Sequence, residues 1–69
     1  MFEVGSMSLK DYYNKAVIIY GNNGERIVGI VDDYVYPEDN ESGVESIIIK
    51  TNSGYYEVVA EDINEIEIL

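Results

Sequence analysis

Gly29 stands in the middle of a β-branched stretch, "ERIVGIVDDYVY" over residues 25–36, and that placement limits what the chain can become. Successive side chains of a strand point to opposite faces. Ile27, Gly29 and Val31 therefore share one face, while Val28, Ile30 and Asp32 take the other. With Ile27 and Val31 turned inward, Gly29 is the gap at the centre of the inward row. A missing side chain at that point lets a strand coil sharply, the device that carries one strand across both halves of a small barrel.

The remaining punctuation agrees with a bent β fold. Residues 15–20, "KAVIIY", form a first strand that is apolar on both faces, and Gly21-Asn22-Asn23-Gly24 turns it into the second. Asparagine and glycine accept positive φ, and an Asn-Gly pair between apolar runs marks a hairpin. Residues 37–43, "PEDNESG", end the pairing through proline and turn chemistry. Asn40 in this solvated loop is expected to tolerate alanine within roughly 0.5 kcal/mol. A third strand spans residues 45–51, a turn 52–54, a fourth strand 55–59, a corner of one 3₁₀ turn 60–62, and a fifth strand 65–69 with Ile66 and Ile68 inward.

At the front, Ser8-Leu9-Lys10-Asp11 has capping-box spacing and predicts a short α-helix over residues 8–14, with Leu9, Tyr12 and Tyr13 plugging one end of the barrel. Residues 1–7 show no periodicity and are expected to be a flexible tail, with Met7 an alternative start. The fold class is thus mainly β: one domain over residues 8–69, a small five-stranded, strongly bent barrel with a short N-terminal helix.

A chain of 69 residues with no cysteine must fold on packing alone, without disulfide or thiolate zinc. Residues 1–7 carry an acid and no basic region, and no apolar run reaches membrane-spanning length, so a cytoplasmic protein is expected. Four cations, Lys10, Lys15, Arg26 and Lys50, stand against fourteen acids, a net charge of −10. Such a surface repels phosphates and anionic membranes and favours solubility or a basic protein partner. The chain also lacks histidine, and with no cysteine either, the usual base and the best nucleophile are missing; no catalytic role is expected. The acids of residues 38–41 do not follow a calcium-loop template, so neither metal nor cofactor is expected.

Seven tyrosines supply the candidate binding residues. Tyr34 and Tyr36 flank the acidic loop, and Tyr55 and Tyr56 open the fourth strand, so one of the latter pair must face outward. Aromatic rings anchor interfaces at low entropic cost.

The order of elements and the spacing of Gly24, Gly29 and Asp33 in the second strand, with apolar Ile27 and Val31 between them, resemble the first motif of the Sm-like family, within the wider SH3-like group of barrels. The start "SLKDYY" and the end "EIEIL" are similar to small acidic Sm-like proteins of Gram-positive bacteria and their phages. The resemblance implies a family RNA site of which Asp39 and Asn40, in the loop after the second strand, are the remnant. The family's Arg-Gly pair before the last strand has no counterpart: Glu57-Val58-Val59-Ala60-Glu61 stands there. The resemblance also implies ring closure through the fourth and fifth strands, which Glu57, Glu65 and Glu67 oppose by like charge. The expected function is a non-catalytic module that binds a protein; the alternative is an RNA chaperone.

Overall fold

The computed structural model describes residues 8–69. The expected tail over residues 1–7 lies outside the described residues. A 3₁₀ turn, Leu9–Tyr12, leads into five strands: β1 Ala16–Gly21, β2 Arg26–Val35, β3 Ser46–Thr51, β4 Gly54–Val59 and β5 Ile63–Ile68. Two further 3₁₀ turns, Pro37–Asp39 and Ala60–Asp62, follow β2 and β4. The strands form one antiparallel sheet in the order β4-β3-β2-β1-β5.

The buried residues Val17, Ile19, Val31, Ile47, Ile49 and Val58 occupy one face of this sheet. Every one of them is β-branched, the side-chain type whose stiffness suits a pleated surface. Each turn has its own reason. The β1–β2 hairpin is closed by Gly24 at φ 90°, the Gly24 N–H donating to the Gly21 carbonyl (3.1 Å) and the Asn23 side chain accepting from the Glu25 N–H (3.0 Å). In the β3–β4 turn Gly54 takes φ 128°, a conformation that L side chains avoid.

β2 bends by two devices. At Gly29 a Cβ would collide with the Lys50 carbonyl and sit 2.7 Å from Ile49 Cγ2, so β3 packs where a side chain would have been. Two residues further on, the register passes from Val31↔Ile49 to Asp33↔Ile48, leaving Asp32 as the extra residue of a bulge. Its first half pairs with β1 and its second with β3.

Two expectations are corrected. The sheet is strongly curled but does not close: β4 and β5 are its edges. In a flat sheet those edges would stand about 19 Å apart at ~4.8 Å per strand. The three residues Ala60–Asp62 bridge about 8 Å at the 3₁₀ rise. The curl brings one corner of β4 to one corner of β5, and Asn22 clamps it through its N–H to the Asp62 carbonyl (2.9 Å) and its side-chain amide to the Glu61 carbonyl (2.7 Å). Away from that corner the two edges form no ladder.

The α-helix expected over residues 8–14 is the single 3₁₀ turn. Its N-terminal half has the predicted chemistry, with the Ser8 N–H donating to Asp11 Oδ2 (2.9 Å). Tyr13 is already extended, Asn14 is left-handed at φ 68°, and the Asn14 N–H donates to the Val31 carbonyl (2.8 Å). Pairing with β2 therefore claims the backbone before a second helical turn can offset the cost of nucleation. Leu9 and Tyr12 pack against the core, whereas Tyr13 is 52% exposed. Ile68 lies opposite Val17 on the core side, yet its place on an edge strand leaves it half exposed.

Candidate interaction site

Tyr34 lies one residue before the end of β2, its backbone N–H donating to Asp33 Oδ1 (2.8 Å). Its half-buried ring packs on the core and its hydroxyl donates to Glu45 Oε1 (2.6 Å). That hydrogen bond, followed by desolvation and the nearby negative charge, pushes the Tyr34 hydroxyl up to about 12. Tyr36 meets the Tyr34 ring edge-on, with centroids 4.9 Å apart and planes at 78°, a favoured aromatic geometry. Half of Tyr36 remains open to solvent. Pro37 then starts the 3₁₀ turn, and Glu38, Asp39 and Glu41 follow as exposed acids.

The loop is pinned from below. The Asn40 amide donates to the Val44 carbonyl (2.7 Å) and to Ser46 Oγ (3.1 Å), and Ser46 Oγ donates to Glu57 Oε2 (2.7 Å). Ser46 is completely buried, so this chain of bonds satisfies the one buried polar side chain among the described residues. Asp39 and Asn40 thus differ: Asp39 is an exposed turn residue, whereas Asn40 fastens the loop to β3. Glu57 is held as the acceptor at the end of this chain.

The four tyrosines do not form one patch. Tyr34 lies opposite Ile47, which in turn faces Val58, whereas Tyr55 and Tyr56 pair with Lys50 and Ile49 at the other end of β3 and β4. Tyr55, 62% exposed, is on the outer side with Lys50; Tyr56 shares the inner side with Ile49, and its hydroxyl reaches Ser53 Oγ (3.1 Å). A cleft of about 250 Å³ opens near the corner where β4 and β5 splay, between Ile19, Ile27 and Val58, with Glu25, Glu57 and Asp62 on its walls. Its polar lining consists of these carboxylates and the Asn22 and Asn23 amides.

The alternation of residues does not reveal the Asn40–Ser46–Glu57 chain, because it joins a loop, a strand centre and an edge strand that only the curl brings together. The exposed Val28 and Ile30 on the outer side were visible as the second apolar row of residues 25–36. No family model, curated protein or solved structure matches this chain.

Proposed function

We propose that the protein is a non-catalytic, cytoplasmic interaction module of the Sm-like type that holds a basic segment of a partner protein against Tyr36 and the acidic loop. The observation that carries this reading is the Tyr34–Tyr36 pair. Tyr34 is fixed by the core and by Glu45, and it holds Tyr36 edge-on with half its surface free beside Glu38, Asp39 and Glu41. An arginine or lysine gains both a ring face and carboxylates at such a place. A pre-positioned ring also loses little freedom on binding. The net charge of −10 steers a cationic partner toward the molecule.

RNA binding has less support. The Asn40 amide is committed to Val44 and Ser46, and Glu57-Val58-Val59-Ala60-Glu61 has no Arg-Gly pair and carries acids at both ends. The test uses a labelled arginine-rich peptide followed by fluorescence anisotropy at about 0.15 M salt. Tyr36→Ala is expected to weaken binding about tenfold or more, as truncation of an aromatic anchor does, while Tyr55→Ala leaves it unchanged. Equal behaviour of the two variants counts against the site.

A further inference from the structure

β4 is an open edge of the sheet, and the direction of its backbone groups follows from a hydrogen bond at its end. The Ala60 N–H donates to the Glu45 carbonyl, in step with the pairs Val58↔Ile47 and Tyr56↔Ile49. Bonded and non-bonded pairs alternate along an antiparallel ladder, so Val58 and Tyr56 turn their backbone groups to β3. Tyr55 and Glu57 turn theirs to the open side, where no backbone hydrogen bond among the described residues uses them. Such a row of donors and acceptors is a template for an added strand.

The cleft of about 250 Å³ lies against this same edge, with Glu57 and Val58 in its lining. Its apolar wall is Ile19, Ile27 and Val58, and the exposed acids Glu25 and Asp62 stand around it. The Glu57 carboxylate is already taken as the acceptor of Ser46 Oγ. In a strand added to β4, the residue opposite Val58 carries its side chain on the same side as Val58, which is the side of the cleft. A lysine or arginine at that position lays its stem on the apolar wall and its charge beside Glu25 and Asp62. We propose that the β4 edge takes up an extended segment of another protein as a sixth strand, with one basic side chain of that segment seated in the cleft.

A second copy of this chain fits the edge less well. Its own other open edge is β5, which carries Glu65 and Glu67 between its isoleucines. That strand brings acids toward Glu57 and offers no cation to Glu25 and Asp62. The net charge of −10 on each copy adds repulsion between copies and attraction for a basic segment. This site rests on β4 and the cleft, not on Tyr36, so either surface can fail without the other.

Amide hydrogen exchange of the full chain, followed by NMR, tests this with a synthetic heptapeptide of alternating threonine and valine whose central valine is replaced by lysine. Saturating peptide is expected to slow exchange at the Tyr55 and Glu57 amides about tenfold or more, while Tyr56 and Val58, already bonded to β3, change little. N-methylation of the two threonines flanking the lysine abolishes binding, because it blocks the groups that face the edge. Glu25→Gln with Asp62→Asn weakens the lysine peptide about fivefold or more and leaves a leucine-centred peptide unchanged. Tyr36→Ala leaves both unchanged, which separates this site from the acidic loop. Unchanged exchange at Tyr55 and Glu57, equal binding of the lysine and leucine peptides, or equal binding of the N-methylated peptide overturns the proposal. So does protection of those two amides without peptide as the protein is concentrated, the mark of a second copy on the edge.

Discussion

Asn40 is the residue whose meaning changes most between sequence and structure. In the sequence it belongs to a run of turn formers, and truncation should cost nothing; in the fold its amide closes the loop onto Val44 and Ser46. Asn40→Ala leaves the Val44 carbonyl without this donor and is expected to cost about 1–2 kcal/mol, read as a lower urea midpoint. A shift indistinguishable from zero would return Asn40 to the solvated loop. Tyr34 gives a second expectation at this scale. Its hydroxyl is raised from 10.0 in the unfolded chain to about 12 in the fold. A raised pKa contributes stability that is complete below pH 10 and is lost as pH climbs toward 12, because the unfolded chain releases that proton first. Thermal melts across that window should show the wild type losing more stability than Tyr34→Phe. Parallel losses would mean that the hydroxyl–Glu45 bond does not matter to folding.

Among the elements, β2 was the most legible and the N-terminal turn the least. The glycine at position 29 announces the bend because only a missing side chain admits the Lys50 carbonyl so close. Backbone cannot move aside as a flexible side chain can. Gly29→Ala should therefore lower stability by about 1–3 kcal/mol and Gly29→Val by at least as much. Urea midpoints of both variants measure this, and an unchanged midpoint for Gly29→Ala contradicts the close approach of β2 to β3. Residues 8–14 misled because a capping box reports the start of a turn and says nothing of its length. What ends the turn is a non-local hydrogen bond from Asn14 to Val31, which no local pattern encodes. The same holds for the bulge at Asp32, whose extra residue exists only relative to β3.

Across the molecule, alternation of β-branched residues was enough to anticipate five strands and a strong bend, and it located Ile27, Val31 and Ile66 on the packed side. It was not enough to tell an open, curled sheet from a closed barrel. Closure depends on whether β4 and β5 run alongside each other or splay from the Ala60–Asp62 corner, a matter of a few hydrogen bonds at the end of the chain. Of the candidate residues, Tyr34 and Tyr36 meet edge-on just before the acidic loop, while Tyr55 and Tyr56 part to opposite faces of β4. At this scale the proposal is that an acidic curled sheet engages protein and leaves RNA alone. Fluorescence anisotropy with a labelled uridine-rich RNA is its most direct test, taken from low to moderate salt. The expected result is no binding at protein concentrations up to about 100 μM, because affinity for phosphates rests on cations and the sequence carries only four against fourteen acids. Micromolar binding that weakens steeply as salt rises would contradict it.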